Sequence, residues 1–90
     1  MSKQPTITPA QELALVTLHR QGNTGSTRIS VERSLHAAGL MAGRLVTKAG
    51  YAALAAYHSQ AAASMRRMGL YTAEQIAASE QAAADWAKLA

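Results

Sequence analysis

The sequence predicts a mainly α-helical domain in which two helices, a minimal β-hairpin and two further helices succeed one another, in the order α-α-β-β-α-α. Three observations carry that reading. Apolar residues make up 49% of the chain, with alanine the commonest of them and no phenylalanine, which suits closely packed helices around a thin core. Helix start and stop residues bracket four stretches of apolar periodicity. Between the second and third stretches stands "GLMAGRLV", residues 39 to 46, in which the apolar pairs Leu40-Met41 and Leu45-Val46 flank a turn containing Gly43.

The first helix is written in "TPAQELALVTLHRQG". Thr8 is a natural N-cap, Pro9 fits the first helical position, Gln11 completes a capping box, and Gly22 supplies a left-handed stop. Leu13, Val16 and Arg20 fall on one stripe and Leu15 and Leu18 on an adjoining one, so a broad apolar face is expected to meet the core. "GNTGST" follows as a turn-rich loop with room for a single helical turn. The second helix reads from a cap at Ser26 or Thr27 to Gly39, with Val31, Leu35 and Ala38 facing inward and Arg28, Glu32, Arg33 and His36 outward.

In the hairpin, Leu40-Met41 is expected to form the outgoing strand, Ala42-Gly43 the turn and Arg44 to Val46 the return, after which Thr47 caps the third helix. Two rungs do not hold alone, so this hairpin must be anchored on the helices at its ends. The third helix, "TKAGYAALAAYHSQAAASMRRMG", carries Tyr51, Leu54, His58, Ala61, Met65 and Met68 at alternating spacings of three and four, with Tyr57 off that seam. The fourth starts at Thr72, with Gln75 in the capping-box position, and its stripe is Ile76, Ser79 or Glu80, Ala83 and Trp86. Small side chains let helix axes approach closely, so the last two helices should form an antiparallel hairpin or pair with those of a second subunit. Trp86 is the only indole, and its truncation should cost roughly 3–5 kcal/mol if it is buried.

Ninety residues make one domain, and a core this thin favours a homodimer with Tyr51, Leu54, His58, Met65, Met68, Ile76 and Trp86 at the interface. Charge is one-sided. Residues 1 to 50 hold Lys3, Arg20, Arg28, Arg33, Arg44 and Lys48 against Glu12 and Glu32, whereas residues 51 to 90 hold three basic and three acidic residues. All of the formal net charge of +4 therefore sits in the first half, a distribution that draws polyanions to that half.

Catalytic chemistry finds little to work with. The absence of cysteine removes thiol nucleophiles and thiolate zinc sites. His19, His36 and His58 fall on three different helices, without the local spacing of a metal site, and His58 reads as a packed or interfacial residue. The five acidic residues suggest no carboxylate pair, and "GNTGST" lacks the lysine of a phosphate-binding loop. Arg66-Arg67 answers the dipole at the end of the third helix. The expectation is a non-enzymatic protein without metal or cofactor. "MSKQPTITPAQ" has no apolar signal core and no stretch is long enough to span a bilayer, so a cytoplasmic, membrane-free protein is expected.

"RSLHAAGLMAGRLVTKAGYAAL", residues 33 to 54, resembles the end of a winged helix-turn-helix domain of the minimal, degenerate kind found in small phage or mobile-element proteins. In that family a recognition helix ends in Gly-Leu, a short wing follows, and a segment L-T-x-x-G-x-x-A-L opens the next helix. Here the segment is "LVTKAGYAAL", with Val46 inserted before Thr47, and the family's positioning helix has only "GNTGST" to occupy. The resemblance implies a winged-helix-like part over residues 8 to 54, preceded by a flexible N-terminus at 1 to 7 and continued by the helical hairpin at 48 to 90. It also implies a DNA-binding transcription regulator, with Ser26, Thr27, Arg28, Arg33 and His36 on the recognition surface and Arg44 and Lys48 on the wing. Those residue types suit the task, because arginine offers a planar donor fork and hydroxyls bind phosphate oxygens. The bland alternative for Arg28 and Glu32 is an i,i+4 surface pair worth a few tenths of a kcal/mol.

A second function class fits the same residues. The basic face would then cover an acidic or nucleic-acid-binding protein surface, as small phage inhibitors of the anti-CRISPR or host-machinery-blocking kind do.

Overall fold

A computed structural model describes residues 7–25 and 27–90. The expected order is found: α1 (Pro9–Gln21), α2 (Ile29–Ala37), β1 (Met41–Ala42), β2 (Leu45–Val46), α3 (Lys48–Met68) and α4 (Ala73–Ala87). Residues 1 to 6 of the expected flexible N-terminus lie outside the described residues, while Ile7 is buried in the core.

Helix α1 is capped as its sequence dictates. The Thr8 hydroxyl accepts from the Gln11 amide at 3.2 Å, the Gln11 carboxamide accepts from the Thr8 amide at 2.9 Å, and Gly22 closes the helix at φ 75°. Its buried face consists of Ala14, Leu15 and Leu18. Leu13, expected on a broad apolar face, is instead 63% exposed. Two residues along a helix turn through about 200°, so Leu13 points away from the core that Leu15 enters.

Helix α2 starts later than expected, with Arg28 as its N-cap residue and no capping bond from that side chain. Thr27 is drawn into the loop, its hydroxyl donating to the Thr24 carbonyl at 2.7 Å. The other expected cap, Ser26, lies outside the described residues. Leu35 is buried and Val31 half-buried, but Ala38 is exposed because the helix ends before it. Gly39, at φ 73°, reverses the chain and brings the Leu40 amide back to the Leu35 carbonyl at 2.9 Å.

The hairpin pairs Met41 with Val46 and Ala42 with Leu45, antiparallel. Its turn is Gly43-Arg44, one residue beyond the expected Ala42-Gly43. Gly43 has φ 60° and no non-glycine residue among those described has positive φ, the glycine-first pattern of a two-residue hairpin turn. The anchor expected at its ends is explicit. Thr47 caps α3 by accepting from the Gly50 amide at 3.0 Å, while its hydroxyl donates to the Gly39 carbonyl at 2.6 Å. Gly50 lets the hairpin lie directly on α3: a Cβ there would stand 2.2 Å from the Leu40 carbonyl oxygen and 2.7 Å from Val46 Cγ1.

Helices α3 and α4 form an antiparallel hairpin. Arg66 pairs with Glu80 and the Ser79 hydroxyl donates to Met65 Sδ near the connecting turn, while Tyr51 stacks on Trp86 at the far end. Large residues concentrate elsewhere. The core consists of Ile7, Ala14, Leu15, Leu18, Leu35, Leu40, Met41 and Leu54, so it lies where α1, α2 and the hairpin meet the first turns of α3. Helix α4 has no buried residue. It is pinned by Trp86, which packs with Tyr51 and His19, the His19 ring lying edge-on to the indole at 5.1 Å and its Nδ1 2.9 Å from the Tyr51 hydroxyl. No helix among the described residues is long and apolar enough to cross a membrane.

Candidate nucleic-acid interface

The anchored hairpin fixes where the basic side chains stand. Arg28 sits at the start of α2, Arg33 and His36 further along it, Arg44 at the tip of the hairpin turn and Lys48 at the first position of α3, and all five side chains are exposed. Among the described residues the one ion pair joins Arg66 to Glu80 at 2.5 Å, in the other half of the molecule. No described carboxylate therefore pairs with Arg28, Arg33, Arg44 or Lys48.

Glu32 is the acidic residue that stands closest in sequence to these cations, and it is held elsewhere. It is half-buried and accepts a hydrogen bond from the hydroxyl of Thr24, a residue only 6% exposed. The i,i+4 pair between Arg28 and Glu32 is consequently not formed. Its physical cause is local: Arg28 has extended rather than helical backbone angles, φ −63° and ψ 142°, so its side chain leaves the helix surface that i,i+4 pairing requires.

Two depressions flank α2. One, of about 540 Å³, lies between the α1–α2 loop and the hairpin turn and brings His36 and Arg44 together with Glu32 and the loop residues Asn23, Thr24 and Gly25. The other, of about 230 Å³, lies on the α1 side and brings Thr27 and Arg28 beside Ala10, Leu13 and Val31. Arg33 and Lys48 line neither. Thr27 is half-buried with its hydroxyl proton committed to Thr24, and Ser26 lies outside the described residues.

The outward face of α2 contains residues that sequence reasoning missed. Ile29, 66% exposed, Ser30 and Arg33 share it with Ala37. The signal was in the sequence, because the spacing 29, 33 and 37 is one stripe of any helix that covers those residues. The residues expected at an oligomer interface are mostly used within the chain. Leu54 is fully buried, Tyr51 and Trp86 pack on the core with His19, His58 lies edge-on to Tyr57 at 5.3 Å, and Met65 and Ile76 are half-buried. Met68 is 59% exposed.

Chemically, this surface can donate hydrogen bonds and positive charge to an extended anion. Among the described residues, no group of three or more His, Asp or Glu is placed to hold a metal ion. Comparison of the chain with protein-family models, with curated proteins and with solved structures finds no match in any of the three.

Proposed function

We propose that this chain is a small, non-enzymatic regulator that binds double-stranded DNA through α2, the hairpin turn and the start of α3. One observation carries the reading. Arg28, Arg33, Arg44 and Lys48 are exposed with no described carboxylate paired to them, while Glu32 among them is engaged by Thr24. Exposed arginines and lysines without a paired carboxylate are what a phosphate backbone meets most favourably, because each contact releases a condensed counterion. The order of helix, two-residue turn and following helix also supports the likeness to a winged helix-turn-helix domain, with Arg44 as the wing residue.

Salt dependence tests it. Four phosphate contacts give a slope of about −3.6 in log affinity against log salt, roughly a hundredfold loss between 50 and 200 mM. Arg33→Gln and Arg44→Gln should each reduce that slope by about one. Duplex affinity weaker than ~100 μM at low salt would overturn the reading, since it would fall below ordinary non-specific binding.

The proposal extends to self-association of the α3–α4 half. Residues 51 to 90 carry no net charge, α4 has no buried residue, and a shallow groove of about 460 Å³ between the two helices is lined almost wholly by alanines, including Ala52, Ala56, Ala83 and Ala87. Two copies joined there would present two α2 helices to one duplex.

A second reading, a protein-binding inhibitor that uses the same edge, is favoured by Leu13. This side chain is 63% exposed and lines the small apolar depression beside Arg28, a combination suited to an apolar anchor next to a carboxylate. It predicts a stoichiometric protein partner whose capture from a lysate survives nuclease.

A further inference from the structure

We infer that the depression between the α1–α2 loop and the hairpin turn binds a free aliphatic α-amino acid, with the ligand's ammonium group on Glu32 and its carboxylate on Arg44 and His36. The site stands apart from the DNA-binding reading, and the experiment that tests it contains no DNA.

Two groups of opposite charge line this depression without closing on each other. Glu32 comes from α2 and Arg44 from the hairpin turn, yet the one ion pair among the described residues is that of Arg66 with Glu80. Each charge is held on its own side. Glu32 is half-buried and accepts from the Thr24 hydroxyl, while Arg44 follows Gly43 in a hairpin fastened to the start of α3 through Thr47. Thr24 engages only Oε1 of Glu32. Among the described residues, the buried side-chain oxygen without a partner is Glu12 Oε2, so Glu32 Oε2, to which no described group donates, is reached by solvent and open to a ligand.

These groups select a class of ligand. A simple anion would be repelled by Glu32 and a simple cation by Arg44, so a small molecule that carries both charges fits better than either. An α-amino acid carries an ammonium group and a carboxylate on one carbon. The ammonium group offers three donors to Glu32 Oε2, whereas the carboxylate matches the planar fork of Arg44 and takes a further bond from a ring N–H of His36, which lines the same depression. The floor is apolar. Leu18 and Met41 form it at 3% and 5% exposure, so an aliphatic side chain suits it better than a third charge. The volume of about 540 Å³ lies within the range of roughly 300–1,000 Å³ usual for small-molecule sites.

The experiment is an NMR titration of the intact protein, read at the amides of Gly25 and Gly43, which line the depression. Its probes are L-leucine, N-acetyl-L-leucine, which lacks the ammonium group, and L-leucinamide, which lacks the carboxylate. Wild type should bind leucine and should bind each of the other two at least about tenfold more weakly, the effect of losing one hydrogen bond to a charged group. Glu32→Gln keeps an oxygen for the Thr24 hydroxyl and should no longer distinguish leucine from N-acetyl-leucine, and Arg44→Gln should no longer distinguish leucine from leucinamide. Matching thermal melts establish that the variants fold; where Glu32→Gln melts early, Arg44→Gln, at an exposed position, carries the test. The site is overturned if leucine shifts neither amide at about 10 mM, where even a ~1 mM site is mostly filled. It is equally overturned if wild type binds the three probes alike, or if Arg44→Gln keeps the wild-type preference for leucine over leucinamide.

Discussion

Replacing Gly50 by alanine tests how the hairpin is held, and the size of the effect follows from two close contacts and two hydrogen bonds. The added Cβ would sit 2.2 Å from the Leu40 carbonyl oxygen and 2.7 Å from Val46 Cγ1, where ordinary contact begins at 3.4 Å. The nearer obstacle is backbone, so the hairpin must lift by more than about 1 Å, the shortfall between those distances. Lifting it stretches the Thr47 amide bond to the Leu40 carbonyl, now 3.2 Å, and the Thr47 hydroxyl bond to the Gly39 carbonyl, now 2.6 Å. Overpacking of this kind costs roughly 3 kcal/mol, and weakening two hydrogen bonds adds about 1 kcal/mol. Alanine in a helix returns about 1 kcal/mol relative to glycine.

The net destabilisation is about 3 kcal/mol, which in a domain of this size lowers Tm by roughly 12–24 °C. Urea and thermal melts followed by far-UV circular dichroism measure it directly. Ser59→Ala, at an exposed position in the same helix, isolates the propensity term and should be neutral or slightly stabilising. A Gly50→Ala protein as stable as wild type would refute the reasoning, because the hairpin would then not be seated on α3 at that glycine.

Three further outcomes are expected. Trp86→Ala should cost about 2 kcal/mol, below the figure for a buried tryptophan because the indole is only half-buried, and hydrogen exchange should accelerate throughout α4. Thr24→Val should destabilise by roughly 1–2 kcal/mol in a denaturant melt and weaken duplex binding, since it frees the Glu32 carboxylate beside the cations. If two copies pair at the alanine groove between α3 and α4 as proposed, wild type should scatter light as a dimer and Ala56→Glu as a monomer; equal masses for the two would remove that groove as the contact.

What was legible in the sequence was what is decided within about four residues. The capping boxes at Thr8 and Thr72, the cap at Thr47 and the stop at Gly22 are local hydrogen-bond chemistry, and each stands where its residues place it. The seam of α3 was legible only in part: Leu54 is buried and Tyr51 and Met65 half-buried, but Met68 is exposed, the buried alanine is Ala62, and Tyr57, expected off the seam, packs on the core. Misplacements occur where a second contact, near or far along the chain, competes with the expected one. Thr27 would serve as a cap in isolation, but the Thr24 carbonyl draws its hydroxyl into the loop and the helix starts after Arg28. The turn moves to Gly43-Arg44 because Leu40 is already committed, its amide to Leu35 and its carbonyl to Thr47. Leu13 looks like a core residue by composition, yet Leu15 and Leu18 take the side that faces the core. In the candidate site, the exposed arginines and Lys48 could be read from the sequence, and the spacing 29, 33 and 37 would also have placed Ile29 beside Arg33 on one face.

The charge asymmetry of the chain is sharpened by folding rather than merely inherited from composition. Its five acidic residues are Glu12, Glu32, Glu74, Glu80 and Asp85, and the last three lie on α4, with Glu80 already paired to Arg66. Glu12 and Glu32, the two in the basic half, are both half-buried, and Glu32 is turned to Thr24. Carboxylates left exposed among Arg28, Arg33 and Arg44 would neutralise them pairwise and repel a phosphate backbone. Glu32 accepts its hydrogen bond from a nearly buried threonine and forms no ion pair with Arg28, Arg33 or Arg44, although it shares a depression with His36 and Arg44. Thr24, in the loop between α1 and α2, makes that bond, which the length of the loop alone does not disclose.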